Sequence, residues 1–149
     1  MHSQEAIITE IARHQAGDVR TTAPLYSSRP AAGFPAPGDD QVERVLDIND
    51  LVVRHPASTF FVRVAGDSME GAGIFSGDVL VVDRAVEARD GTIVVAAVNG
   101  EMVVKRLVKR SGRQELHSEN EQYAPIILGD EDECYVWGSV TGSVRQFPA

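Results

Sequence analysis

Short runs of β-branched and other apolar residues, separated by Gly, Asn and Asp, fill most of the chain after residue 58. This pattern is typical of strands joined by tight turns. No internal repeat and no long helical pattern interrupts it, which argues against doubly wound α/β folds and helix bundles. The sequence therefore predicts a mainly β core, with strands at residues 59–64, 79–83, 92–98, 102–108 and 135–144.

The first part of the chain has a different pattern. Residues 4–14 place their apolar side chains on one stripe of a short helix, which would be marginal in isolation. Residues 17–40 hold Pro24, Pro30, Pro35 and Pro37 among small residues, too punctuated for regular structure, and are interpreted as a linker or extended arm. Residues 41–54 predict one or two short helices.

Length and charge narrow the class of protein. The 149 residues are enough for one domain with a tail, and the net charge of −8 disfavours autonomous binding to a phosphate backbone. No apolar run is long enough to span a bilayer, and no secretory signal opens the chain. Because the single Cys134 has no partner for a disulfide, we expect a cytoplasmic protein without a membrane anchor.

The Asn99-Gly100 pair between two apolar runs is the clearest local signal, because a type I′ turn needs positive φ at both central positions. A two-residue turn sets the register, so Val94 should lie opposite Lys105. Lys105 is then predicted to lie in an apolar patch, where desolvation disfavours its ammonium form and so favours a proton acceptor. The alternative is a strand lysine that extends its amine to water.

Gly66-Asp67-Ser68-Met69 directly follows the first predicted strand. A serine in such a turn can present its hydroxyl beside backbone N–H groups that form an oxyanion hole. A Gly-Asp-Ser turn also occurs in proteins where it has no chemical role, and that alternative stays open at this point.

Other chemistry has little support in the sequence. The four histidines, His2, His14, His55 and His117, lack the context of a catalytic base, and with one cysteine they give no metal-ligand spacing. No phosphate-binding glycine loop is present, so no cofactor is expected. If the protein is an enzyme, a Ser–Lys dyad is the best available arrangement.

Three elements in order carry a family resemblance: Ala32-Gly33 followed by Phe34-Pro35, the Gly66-Asp67-Ser68-Met69 turn, and Lys105, which lies 37 residues after Ser68. Together they resemble the LexA/UmuD family of self-cleaving proteins, the S24 serine peptidases, and most closely its UmuD-like members. The likeness runs from about Gly33 to about Gly142.

The resemblance implies a β-clip type, LexA/signal-peptidase-like core with an extended, mobile N-terminal arm. It implies that Ser68 is the nucleophile, Lys105 the general base, and Ala32–Gly33 the bond that is cut. Backbone amides of Ser68 and a neighbour, either Asp67 or Met69, would hold the oxyanion. Residues 1–32 would be the arm that cleavage removes, 33–40 a linker, and 41–149 the peptidase and dimerisation domain.

The resemblance also implies partners and a role. A RecA filament on single-stranded DNA would stimulate self-cleavage, and the shortened homodimer would serve a UmuC-type subunit of an error-prone translesion DNA polymerase in the SOS response, without sequence-specific DNA binding of its own. Two alternatives remain: a non-catalytic interaction module with vestigial cleavage, and a LexA-like repressor. The repressor is disfavoured because 32 residues with one weak helix are too few for a helix-turn-helix domain.

Overall fold

The computed structural model describes residues 4–15, 22–26, 42–129 and 133–148. Strands dominate these residues, as predicted, and the one α-helix among them is Ile48–Val52, preceded by the N-cap Asp47. The strands are β1 Ile7–Arg13, β2 Ala23–Tyr26, β3 Val42–Leu46, β4 Thr59–Ala65, β5 Val79–Asp83, β6 Ile93–Val98, β7 Glu101–Arg110, β8 Arg113–His117, β9 Ile126–Ile127 and β10 Cys134–Val144; short 3₁₀ turns cover Pro56–Ser58 and Glu70–Ala72.

Eight of the described strands form one antiparallel sheet in the order β1-β4-β5-β10-β6-β7-β8-β9. β1 also pairs with β7 at Ile7 and Val103, so the sheet closes on itself through β1. β10 pairs with β6 through its first half and with β5 through its second half. Irregularities in β10 at Val136/Gly138 and Val140/Gly142 accompany this change of partner, as bulges that bend a strand do. β2 and β3 form a separate two-stranded sheet.

The core consists of alternating strand residues that face the inside of the closed sheet. Val62 and Val64 of β4, Leu80 and Val82 of β5, and Val95 and Val104 of the β6–β7 hairpin form one buried cluster. A second cluster lies on the other face of that hairpin, and it comprises Val94, Ala96, Val103, Leu107 and Leu116. Both faces of β6 and β7 are thus covered, which explains why their sequences are nearly continuous apolar runs.

The turn between β6 and β7 confirms the prediction from Asn99-Gly100. Both residues have positive φ, 50° and 84°. The register pairs Val98 with Glu101 and Val94 with Lys105, as the two-residue turn requires. The hairpin therefore fixes the face of β7 on which each side chain lies, and it places Lys105 on the buried face of Val103 and Leu107.

An ion pair joins the segment after β10 to the loop before β5. Asp78 is buried, and both of its carboxylate oxygens accept hydrogen bonds from Arg145, at 2.7 Å from Nε and 2.9 Å from Nη2. Phe75 contributes its N–H to the same carboxylate at 2.9 Å, and its ring lies 4.1 Å from the guanidinium carbon. The hydrogen bond from Arg145 is the largest influence on the pKa of Asp78, which lies below its ordinary value although burial acts to raise it.

The helix predicted for residues 4–14 is wrong. Ile7–Arg13 is a strand that pairs with β4 from Ile7–Ala65 to Arg13–Phe60. A short isolated helix is marginal, whereas β-branched isoleucines fit a strand and the edge of β4 offers them a ladder of hydrogen bonds. The described start of the arm is therefore extended, and it forms part of the sheet.

Two further expectations need correction. One short helix predicted in residues 41–54 is confirmed at Ile48–Val52, but Val42–Leu46 is a strand. The arm, predicted to lack regular structure, contains the strand Ala23–Tyr26, which pairs with Val42–Leu46. The short strands Arg113–His117 and Ile126–Ile127 are absent from the sequence prediction. Among the described residues, no helix is long and apolar enough to cross a membrane.

Candidate active site

Ser68 lies in the turn that leaves β4. Gly66 has a φ of 106°, a left-handed conformation that favours glycine, and it redirects the chain after the strand. Ser68 is fully buried, and its carbonyl oxygen accepts a hydrogen bond from the N–H of Glu119 at 3.0 Å. The 3₁₀ turn Glu70–Ala72 follows directly. The turn is therefore held on both sides, which gives the serine a fixed position.

Lys105 lies in the middle of β7 with 2% of its side chain exposed. Its strand neighbours on the same face, Val103 and Leu107, are buried, as is Val94 on the opposite strand. The next residue, Arg106, points to the other face and pairs with Glu119 at 2.5 Å. The apolar surroundings predicted for Lys105 are confirmed, and the alternative of an amine extended to water is wrong.

Two oxygen atoms contact the Lys105 amine. Nζ donates to Ser118 Oγ at 2.6 Å, and it lies 2.6 Å from Glu5 Oε1. The ring of Tyr123 lies 5.3 Å from Nζ. The Glu5 oxygen is buried and makes no hydrogen bond among the described residues, so the ammonium charge is what offsets the burial of its negative charge.

Residues 4–6, just before β1, contact both Ser68 and Lys105. The carbonyl oxygen of Gln4 accepts hydrogen bonds from the N–H groups of Asp67 and Ser68, both at 2.9 Å. The N–H of Ala6 donates to Ser68 Oγ at 2.8 Å, and the Gln4 N–H donates to Asp67 Oδ1 at 2.5 Å. Ser68 and Lys105 therefore both contact residues 4–6, and no hydrogen bond joins their side chains among the described contacts.

The two N–H groups that converge on the Gln4 oxygen bear on the oxyanion site. They belong to Asp67 and Ser68. Met69 instead buries its side chain in the core, and its carbonyl accepts from Ala72 and Ile74. Of the two neighbours of Ser68, Asp67 therefore has the geometry to share an oxyanion with it.

The described histidines lie in other contacts. His55 Nδ1 lies 2.6 Å from Asp83 Oδ2, and Ser58 Oγ donates to the other carboxylate oxygen at 3.0 Å. Burial acts to raise the pKa of Asp83, but hydrogen bonds from His55, the Ala85 N–H and Ser58 outweigh it and hold the pKa below its ordinary value. Because Ser58 donates to the carboxylate and not to the imidazole, this cluster lacks the arrangement of a catalytic triad.

The remaining candidates lie elsewhere. His14 contacts the ring of Phe61, and His117 lies 3.1 Å from Glu115. Ala32, Gly33 and His2 fall outside the described residues. Within the described ranges, no group of three or more His, Cys, Asp or Glu side chains is placed to hold a metal ion.

Sequence reasoning missed Glu5 and Ser118, the two residues that contact the Lys105 amine. The helix predicted for residues 4–14 makes Glu5 only a polar position, and its contact with Lys105 spans 100 positions of sequence, so no local pattern reports it. Ser118 directly follows the strand Arg113–His117, which pairs with β7. Had this strand and its pairing been predicted, Ser118 would have been placed near Lys105.

Comparison with known proteins gives consistent matches. A family model described as Peptidase S24-like matches residues 24–141. Protein ImpA of Escherichia coli is 47% identical over 130 residues, which cover 87% of this chain and 88% of that protein. Protein SamA of Salmonella typhimurium is 42% identical over 128 residues, 86% of this chain and 89% of that protein. The LexA repressor of Bordetella pertussis is 42% identical over 121 residues, which cover 80% of this chain and 55% of the repressor.

Proposed function

Because the chain belongs to the Peptidase S24-like family, we propose that it is a self-cleaving serine peptidase that cuts its own Ala32–Gly33 bond. The matched residues, 24–141, include the proposed bond, the Ser68 turn and the strand of Lys105. The observation that carries the proposal is the pair of N–H groups, from Asp67 and Ser68, that converge on one carbonyl oxygen beside the serine hydroxyl.

The proposed chemistry uses Ser68 as nucleophile and neutral Lys105 as general base. Ser68 Oγ attacks the carbonyl carbon of Ala32 while its proton passes to the Lys105 amine. The N–H groups of Asp67 and Ser68 stabilise the oxyanion. When the bond breaks, the proton passes to the amine of Gly33, and water then hydrolyses the ester to release residues 1–32. The buried position of Lys105 and its contact with Glu5, next to the Ala6 amide that binds Ser68 Oγ, support this role.

The proposed role is that of an accessory protein in SOS mutagenesis. A RecA filament on single-stranded DNA would stimulate the cut, and the shortened protein, as a homodimer, would join a UmuC-type polymerase subunit in the cytoplasm. Support comes from the family and from relatives such as ImpA and SamA, which match this chain over nearly their whole length.

A non-catalytic interaction module is the second candidate, and one observation favours it. The Lys105 amine contacts Glu5 and Ser118, and Ser68 Oγ accepts from the backbone of Ala6, so the dyad is not hydrogen-bonded in this structure. A module of this kind would keep the fold and its partners without cleaving itself.

The mass of the intact protein, followed over time with and without RecA, a nucleoside triphosphate and single-stranded DNA, separates the two candidates. We expect loss of residues 1–32 in the wild type, and a slowing of at least about 10³-fold in Ser68→Ala, because the nucleophile is gone. Ser143→Ala, at an exposed position of β10, is the matched control and should cleave like the wild type. Absence of cleavage under every condition, alkaline pH included, would leave the interaction module.

A further inference from the structure

We propose that the site of Ser68 and Lys105 binds residues 4–13 of this chain. This segment inhibits self-cleavage because it occupies the site in place of the cleavage segment, the residues around Ala32–Gly33. The proposal rests on the proposed function and adds its regulation. The ligand class is an extended peptide that offers one carbonyl to the oxyanion site and one carboxylate to Lys105.

The backbone of the segment occupies the site where the reacting carbonyl must lie. The Gln4 oxygen takes both hydrogen bonds, 2.9 Å each, from the N–H groups of Asp67 and Ser68. Since these two donors are the proposed oxyanion site, a second carbonyl has no place there until Gln4 leaves. Binding of the cleavage segment and binding of Gln4 are therefore mutually exclusive.

The serine hydroxyl is engaged as well. The Ala6 N–H donates to Ser68 Oγ at 2.8 Å, and the Ala6 carbonyl accepts from the N–H of Val104 at 3.0 Å. Ala6 is fully buried between the Ser68 turn and β7. One lone pair of the Ser68 oxygen is thus taken up by a backbone amide.

Glu5 acts on the base. Its Oε1 lies 2.6 Å from Lys105 Nζ in a buried setting, and the same amine donates to Ser118 Oγ, while no hydrogen bond joins it to Ser68 among the described contacts. A general base must lie within hydrogen-bond reach of the proton that it accepts, so an amine held by Glu5 does not serve Ser68. The segment therefore disables the nucleophile and the base together, which distinguishes a bound inhibitor from a bound substrate.

The protein is shaped to hold this segment. β1 pairs along β4. The Cβ atom of any other residue at position 66 would overlap the carbonyl oxygen of Glu5, so only glycine leaves room for residues 5 and 6 here. Residues 4–13 also lie outside the matched stretch 24–141.

The test compares Glu5→Gln with Glu101→Gln, an exposed residue at the start of the same strand as Lys105. Cleavage at Ala32–Gly33 is followed by intact mass at fixed RecA, nucleotide and single-stranded DNA. We expect Glu5→Gln to cleave about tenfold faster than the wild type, because the inhibited state loses its ion pair, and Glu101→Gln to match the wild type.

Hydrogen exchange on the uncleaved proteins gives a second readout that does not need cleavage. The amides of Ile7–Arg13 should exchange faster in Glu5→Gln than in Glu101→Gln. If Glu5→Gln exchanges faster but none of the proteins cleaves itself, the result supports binding of residues 4–13 and contradicts the proposed function. Equal cleavage rates and equal exchange in a protein that cleaves would reject the inhibitory segment, as would a product that begins at Glu5, because residues 4–6 would then be a substrate.

Discussion

Two buried charges in this protein are neutralised in different ways. Asp78 has 1% of its side chain exposed and is paired with Arg145, which is 37% exposed. Lys105 has 2% exposed and is paired with Glu5, which is 27% exposed. In each pair the buried charge lies on a strand or directly before one: Lys105 is in β7, and Asp78 precedes β5. The partner lies beside the first or the last described strand: Glu5 precedes β1, and Arg145 follows β10.

The difference lies in hydrogen bonding. Both Asp78 oxygens accept from Arg145, and Phe75 adds a backbone N–H, so the carboxylate is well satisfied. The Glu5 oxygen that faces Lys105 makes no hydrogen bond among the described residues and depends on charge alone. A planar guanidinium matches a carboxylate at two points, whereas an ammonium is a point charge that can lose its proton. The first pair therefore suits a permanent structural link, and the second suits a contact that must be released.

Replacing the Lys105 amine with a guanidinium, the group that pairs with Asp78, should have the largest effect on self-cleavage. Lys105→Arg keeps a positive charge beside Glu5, but a guanidinium does not give up its proton near neutral pH, so it cannot serve as the base. We expect self-cleavage to fall by at least about 10³-fold while the fold is retained, measured by intact mass and circular dichroism. Lys109→Arg, at an exposed position of the same strand, is the control. Cleavage that persists in Lys105→Arg would contradict the dyad.

Removing the cation of the structural pair tests stability rather than activity. Arg145→Met leaves the buried Asp78 carboxylate without its two guanidinium hydrogen bonds, so we expect the free energy of unfolding to fall by about 1–3 kcal/mol. Arg113→Met is the matched control, because Arg113 is 63% exposed and lies 3.8 Å from Glu115, and it should change stability by less than about 0.5 kcal/mol. Urea denaturation at neutral pH measures both. Equal losses in the two variants would remove the distinction between the buried and the exposed pair.

Acid should weaken the structural pair by a smaller amount. The pKa of Asp78 is lower in the folded protein than its ordinary value, so its contribution to stability is complete above about pH 4 to 5 and is lost as the pH falls through the folded pKa. Asp78→Asn should therefore be less stable than the wild type at pH 7, and its free energy of unfolding should decrease less between pH 5 and lower pH. The decrease does not vanish, because the pKa of Asp83 is also lowered. Parallel curves for the two proteins would contradict this role of Asp78.

The parts of the fold that can be predicted from sequence are those set by local rules. The alternation of apolar residues indicates the long strands, and the Asn99-Gly100 turn sets the register that places Lys105 opposite Val94. The helix predicted for residues 4–14 fails because the same isoleucine spacing satisfies a helix in isolation and a strand beside β4. The choice between them depends on an open strand edge more than 45 residues away, which no local pattern reports.

The candidate site divides in the same way. The turn that carries Ser68 and the strand that carries Lys105 are local features, and sequence reasoning identifies both as candidates. Glu5 and Ser118 reach the lysine only through the tertiary pairing of β1 with β4 and of β8 with β7. The burial of Lys105 was therefore foreseeable from the sequence, and the carboxylate that contacts its amine was not.

The closure of the sheet through β1 matters for the state of the protein after self-cleavage. β1 contacts β4 along one side and β7 on the other, and it belongs to the residues that the proposed cut removes. Loss of β1 would leave the N–H and C=O groups along one edge of β4 unpaired, and such an edge readily pairs with a strand from another molecule. The cut would then expose an edge of β4 that a strand of the same chain had covered, and a strand of a partner protein could pair there.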